Sequence, residues 1–236
     1  MSIYKALLKE KTIKSDKMHS KFNCSAILGF TLAEVLVTLG IIGVVSAMTI
    51  PTLVKNHQRQ VYVTQLQKVY NELSQALEQV ITDSNAVNLR ESSFGRNGTA
   101  NFLRAYFKTV KTCTPSTMDE CFAEDYKNMN GDDVRIRDFI FGTANCAVIA
   151  SGAAICIDNS YHSQVFMDVN GKQGPNIIGR DVFDFRLYND GTIAVERIGG
   201  IDYHVENFNN LCVKQKEFDY GACVAKIIND GWKMDY

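Results

Sequence analysis

Hydrophobic and polar positions divide the chain into three stretches of different character. From Ala26 to Val54 nearly every residue is apolar or small, and the one charge is Glu34. After that acid, Val35 to Val54 gives 20 residues without an ionisable group. At 1.5 Å per residue this is about 30 Å, one hydrocarbon thickness, so the run predicts a membrane-spanning helix. No other window approaches that length, so the chain crosses a bilayer once at most and multi-pass transport is excluded. Beyond the run, Tyr62, Leu66, Val69, Leu73, Leu77 and Val80 recur at steps of three and four, with Gln58, Gln65, Lys68, Glu72 and Glu78 between them. That period predicts a helix continuing to about Ile81 as an amphipathic segment, its stripe packed on the chain's own core. The whole helix, Phe30 to Ile81, would be roughly 80 Å long.

Further along, the period changes. Polar, glycine-containing Asn88 to Gly98 predicts a loop, and Phe102, Leu103, Tyr106, Phe107 and Val110 a short helix. Short β-prone runs follow at Cys146 to Ser151, Ala153 to Asp158, Gln164 to Val169, Val182 to Tyr188 and Thr192 to Arg197, bounded by Ser-Gly, Asn-Gly, Gly-Pro and Asn-Asp-Gly turns. They predict a small antiparallel sheet of about four strands against the helix stripe, an α+β fold.

Composition sharpens this picture. With 236 residues, 46% of them hydrophobic, 16 glycines and 3 prolines, the chain has the material for an ordinary core and is neither disordered nor collagen-like. A net charge of -1 leaves no electrostatic footprint for nucleic acid. The charges are unevenly placed, however: six lysines precede the apolar run and face only Glu10 and Asp16, a net of +4. Cationic flanks stay cytoplasmic during insertion, so the C-terminal portion is expected outside. The cysteines agree, since Cys113, Cys121, Cys146, Cys156, Cys212 and Cys223 all follow the apolar run, and six exported cysteines suit three disulfides. Sequence neighbours are the simplest pairing, Cys113 with Cys121, Cys146 with Cys156 and Cys212 with Cys223. The middle pair carries a difficulty: a two-residue Ser151-Gly152 turn would set Cys146 opposite Ile157 and on the other face from Cys156, so this pair needs another loop or register. A zinc site is the rival reading, but no Cys-x-x-Cys occurs and His57, His162 and His204 are scattered.

A basic head, an apolar stretch and small residues also describe an ordinary secretory signal, with Val45-Ser46-Ala47 as its cut site. Against that stands Glu34. An acid in an inserting apolar helix costs up to about 2.5–3.5 kcal/mol at the centre and less near the end, where this one sits. Gly29-Phe30-Thr31-Leu32-Ala33-Glu34, followed by the run ending at Ile50-Pro51-Thr52-Leu53, resembles the class III signal of type IV prepilins and type II secretion pseudopilins. The resemblance covers about Gly29 to Ile81. It implies that a membrane-embedded prepilin peptidase cuts after Gly29 and methylates Phe30, and that Glu34 is the assembly acid. The organisation then reads 1–29 as a removed basic leader, 30–54 as the transmembrane and assembly helix, 55–82 as its amphipathic continuation and 83–236 as a disulfide-containing head. The leader is long for the family, and Ala33 stands where a bulkier aliphatic is common.

Cutting after Gly29 creates an amine, with an ordinary pKa of about 7.7–8.0, at the end of a helix whose charges would otherwise lie in lipid. A carboxylate and an ammonium from neighbouring copies neutralise each other, and the pair penalises every stagger that strands either charge. A carboxylate snorkelling at the membrane edge is the alternative. Gly40, Gly43 and Pro51 lower helix propensity within the run, and Gly43 with Ala47 has the small-xxx-small spacing of close helix approach. The resemblance implies that this stretch loosens as a subunit leaves the bilayer.

The turn-rich stretch from Asp168 to Asn176, with Asp181 and Asp184, carries oxygen ligands suited to a hard cation, and some pseudopilins bind calcium in a head loop. Asp168, Asn170 and Asp181 are the candidate ligands. Plain turn chemistry is the alternative, because the spacing is not that of an EF-hand. The segment from Cys223 to Tyr236 resembles the terminal cysteine-containing segment of pilin-like proteins, with Trp232 as an apolar anchor. No Gly-x-Ser-x-Gly, phosphate-cradling loop or His-Glu-x-x-His occurs, so no enzymatic activity is expected. The expected product is a structural subunit of a type IV pilus or type II secretion-like filament, single-pass in the cytoplasmic membrane and then in an extracellular or periplasmic filament. Its partners would be prepilin peptidase, other subunits and the membrane, with no nucleic acid. Removing a leader of net +4 from a chain of net -1 leaves -5. The runner-up is a monomeric exported or membrane-anchored binding protein.

Overall fold

The computed structural model describes residues 29–135, 144–158, 163–195, 211–212 and 221–236. The expected leader therefore lies outside the described residues, apart from Gly29. The chain divides into two compact units between Met48 and Thr49. One helix, α1 (Leu32–Asp83), belongs to both.

In the first unit α1 is continuous through Gly40 and Gly43, and its apolar side chains are exposed from Leu32 to Val45. An added Cβ at either glycine would meet nothing within 4 Å, so no packing within this unit demands glycine there.

The second unit is α+β. Its part of α1 continues through Pro51, and the helix changes character beyond residue 60. Val63, Leu66, Val69, Leu73, Ala76, Leu77 and Val80 are buried, at helical spacing, while Lys68 and Glu78 stay exposed. They share one apolar cluster with Ala147, Ile149, Ile155, Ile157, Val165, Met167, Phe183 and Phe185. Those eight come from the strands β4 (Asn145–Ile149), β5 (Ala154–Ile157), β6 (Gln164–Asp168) and β7 (Val182–Leu187).

Among the described residues the sheet has six strands, not about four. Its order is β1-β4-β5-β6-β7-β8, antiparallel throughout, with β1 at Thr109–Cys113 and β8 at Ile193–Ala194. A separate hairpin pairs β2 (Tyr126–Lys127) with β3 (Asp133–Val134). Strand β1 is hidden in the sequence because Val110, Lys111 and Thr112 are all exposed and no alternation marks them. The central strands are buried on both faces, which explains their near-continuous apolar runs. The face away from α1 holds Cys146, Ala154, Cys156, Phe166 and Val182 in a second cluster with Phe122 and Tyr126.

Two boundaries differ from expectation. Helix α2 (Ser93–Tyr106) begins inside the predicted loop, because the Ser92 hydroxyl caps it by accepting the Phe94 N–H at 3.1 Å. Gly98, at φ 76°, interrupts it. Val110, expected at the end of this helix, lies in β1 and is exposed, since the chain turns extended at Phe107. At the C-terminus α3 (Ala222–Asn229) sends Val224 and Ile227 into the main cluster. Trp232 is half-buried and meets Tyr70 of α1 edge-on at 5.4 Å, and Tyr70 in turn meets Phe185 at 5.7 Å.

Candidate functional site

The first residues of α1 explain why the helix starts where it does. Thr31 is the N-cap residue and Glu34 lies three positions on. The Thr31 hydroxyl accepts the Glu34 backbone N–H at 3.2 Å, while Glu34 Oε2 accepts the Thr31 backbone N–H at 2.8 Å and its hydroxyl at 2.9 Å. This reciprocal arrangement is a capping box, which satisfies donors that the first helical turn leaves without partners. The Thr-x-x-Glu spacing ahead of an apolar run was the signal available in the sequence, and it gives Glu34 a local role beside the one the resemblance implies. All the capping bonds fall on Oε2; Oε1 accepts none of them.

Gly29 and Phe30 lie immediately ahead of the capped turn, outside the helix. The Phe30 ring is 87% exposed, and a Cβ at Gly29 would meet nothing. Gly29 and Phe30 are therefore both exposed. From there the apolar run is a helix with none of its length buried within the chain, long and apolar enough to cross a membrane. Gly40, Gly43 and Pro51 sit within this exposed stretch, and the helix is unbroken at all three.

The three neighbouring cysteine pairs come together: Cys113 with Cys121, Cys146 with Cys156 and Cys212 with Cys223, at Cα separations of 6.2, 4.0 and 4.5 Å. The difficulty with the middle pair is resolved by the turn. Ala150, Ser151 and Gly152 form a three-residue connection closed by the Ile149 N–H on the Ala153 carbonyl, with Gly152 at φ 90°. One residue more than a two-residue turn shifts the register by one, and Cys146 falls opposite Cys156 instead of Ile157.

Asp168 ends β6, Asn170 and Asp181 lie in the connection from β6 to β7, and each carboxylate is already engaged. Asp168 Oδ2 accepts the Tyr126 hydroxyl at 2.6 Å and Oδ1 the Asn170 N–H at 3.2 Å. Asp181 Oδ2 accepts the Asn176 N–H at 2.8 Å and Oδ1 the Ile177 N–H at 2.7 Å. Asn170 donates to the Gln173 and Gly174 carbonyls. The amide oxygens of Asn170 and Asn176 are buried without a hydrogen-bond partner, so the spare oxygens are neutral ones. Among the described residues no group of three His, Cys, Asp or Glu side chains is placed to hold a metal. This is the bonding of a carboxylate that closes a turn. Burial pushes the Asp168 carboxyl up to about 8, against the Tyr126 bond, which favours the ion, while the nearby Asp181 charge adds to the rise. Asp184, on β7, is raised to about 6 by burial, opposed by the Arg186 charge and the Gln164 amide.

No protein-family model, curated protein or solved structure gives a significant match to the chain. The family reading therefore rests on the resemblance of the Gly29 to Glu34 string and the apolar run after it.

Proposed function

We propose that the chain is a filament subunit of the type IV pilin and pseudopilin kind. It is cut after Gly29, methylated at Phe30 and polymerised through the apolar part of α1; its role is structural, not catalytic. One observation carries this reading. An exposed Gly29-Phe30 junction leads straight into a capped helix whose apolar side chains are exposed from Leu32 to Val45. Such a surface requires lipid or other copies around it. In the bilayer the helix anchors the subunit with its leader in the cytoplasm and its head outside; in a filament the same surface meets neighbouring helices.

Glu34 has the means to select the neighbour. Its Oε2 holds the cap, and Oε1 is left for the Phe30 ammonium of an adjoining copy. In a water-poor bundle a stranded charge is costly, so the pair acts on register more than on net stability.

Peptide mass spectrometry of the purified protein's N-terminus tests the proposal. N-methylated Phe30 supports it. A start at Met48 would instead give a secreted binding protein, and a start at Met1 an uncut membrane anchor.

A further inference from the structure

Three cysteines on three adjacent strands occupy one lateral row of the sheet. Cys113 of β1 stands directly opposite Cys146 of β4, and Cys146 directly opposite Cys156 of β5. Directly opposed residues share a face, and all three are buried in the same cluster with Cys121. Adjacent strands are about 4.8 Å apart, so Cys146 has a cysteine neighbour at the same strand spacing on either side. Register alone does not choose between them. What occupies Cys113 is Cys121, at the far end of the short segment Pro115–Glu120. That segment is pinned a second time by Lys111 and Glu120, 2.8 Å apart.

We propose that Cys113, Cys146 and Cys156 form a thiol-exchange row, a redox-sensitive device in which Cys121 decides the partner of Cys146. Cys113 and Cys156 stand on the two strands that flank the strand carrying Cys146, so exchange at Cys146 needs no change of register. When a dithiol reductant opens Cys113–Cys121, taking up the bond as its own disulfide, the Cys113 thiolate attacks Cys146 Sγ. The Cys113–Cys146 bond forms, the Cys146–Cys156 bond breaks, and Cys156 leaves as a thiolate that takes a proton from water. The head keeps a cross-strand staple throughout, moved from β4–β5 to β4–β1, while Thr114–Glu120 is released from its covalent tie. All four cysteines are buried, so the row stays closed until the segment Pro115–Glu120 is opened. The partner is a thiol–disulfide oxidoreductase or small dithiol of the compartment holding the head. This inference is independent of the filament reading.

The full chain carrying Cys24→Ser, which removes the seventh cysteine, in the basic stretch before the apolar run, tests it with and without Cys121→Ser. Trace thiol is allowed to catalyse exchange, the sample is acid-quenched and alkylated, and linked peptides are mapped in native buffer and in urea. In the unfolded Cys121→Ser chain, closing the 10-residue separation of Cys146 and Cys156 is favoured over the 33 between positions 113 and 146 by about sixfold. In the folded chain the sheet removes that bias, and comparable amounts of Cys113–Cys146 and Cys146–Cys156 peptides are expected. A native preference for Cys146–Cys156 as large as that in urea would overturn the row. Should Cys121→Ser fail to fold, limiting dithiothreitol on the otherwise unmodified chain gives the same answer. Cys121 alkylated together with Cys156 supports exchange, and Cys121 alkylated only with Cys113 overturns it.

Discussion

Thr31 and Glu34 cap one another across the first turn of α1, with the acid's Oε2 taking both Thr31 donors and Oε1 taking neither. The two functions assigned to Glu34, starting the helix and meeting a neighbouring amine, therefore fall on different oxygens and can be separated. Glu34→Gln keeps the capping geometry and removes the charge; Thr31→Val keeps the charge and removes the hydroxyl half of the cap. The expected outcome is N-terminal processing in both, no filament incorporation for Glu34→Gln, and retained incorporation for Thr31→Val with a helix start weakened by about 1 kcal/mol. Filament yield beside N-terminal mass spectrometry reads both. Normal assembly of Glu34→Gln would remove the charge pair from the account.

The buried acids of the sheet make the head less stable as pH rises. An unfolded aspartate titrates near 4, whereas burial raises Asp184 to about 6. Below pH 4 both states hold the proton and the native state keeps its full stability. Between pH 4 and 6 the unfolded chain releases a proton that the native chain retains, so stability falls, and above 6 the loss is complete. Asp168, raised to about 8, extends the decline to that pH. Asp184→Asn should leave the melting temperature nearly unchanged at pH 4 and raise it at pH 7.5 by a few degrees, since the shift corresponds to at most about 3 kcal/mol. A variant less stable than wild type at pH 7.5 would show that the Asp184 charge is needed by Arg186.

The helix stripe was legible because burial repeats the pattern of the sequence: Leu66, Val69, Leu73, Leu77 and Val80 are all inside. Leu73→Ala should accordingly cost about 2–5 kcal/mol, read from urea unfolding of the full chain. The strands from β4 to β7 were legible from turn residues, but β1 was not. Its pairing with β4 is a contact between positions more than thirty apart, and its exposed Val110 carries no period. The cysteine row was invisible for the same reason, since three residues share a face only once β1 is placed. At the candidate site the Gly-Phe-Thr-Leu-Ala-Glu string was plain, while the use of Thr31 as a cap partner depends on which carboxylate oxygen turns inward.

Calcium should not change the head's stability. Both oxygens of Asp181 accept backbone N–H groups from Asn176 and Ile177, and Asp168 is tied to Tyr126. A cation would have to displace these donors to reach either carboxylate. Equal melting temperatures in millimolar calcium and in chelator are expected; an increase with calcium would mean that Asn170 and Asn176, with their unpartnered oxygens, are ligands.

The pairing of Cys146 with Cys156 depends on the length of the turn between β4 and β5. Ile149 N–H closes on the Ala153 carbonyl around three residues, which sets Ala147 opposite Ile155 on the helix side and Cys146 opposite Cys156 on the other. Deleting Ser151 leaves either a two-residue Ala150-Gly152 turn that keeps Ile149 opposite Ala153, or a three-residue turn that slides β5 by one position. The slide would lose the main-core placement of Ile155 and Ile157 and the disulfide together, because a one-residue slip moves every side chain to the opposite face. Burying each isoleucine is worth about 1.5–3 kcal/mol, and their exposure would also leave a cavity facing α1, so the register-keeping turn is favoured. The deletion should therefore distort the turn to preserve the isoleucines or unfold the head, and in the first case the Cys146–Cys156 bond should survive. Free Cys156 in an otherwise folded deletion variant, detected by alkylation, would show that the turn alone dictates the register.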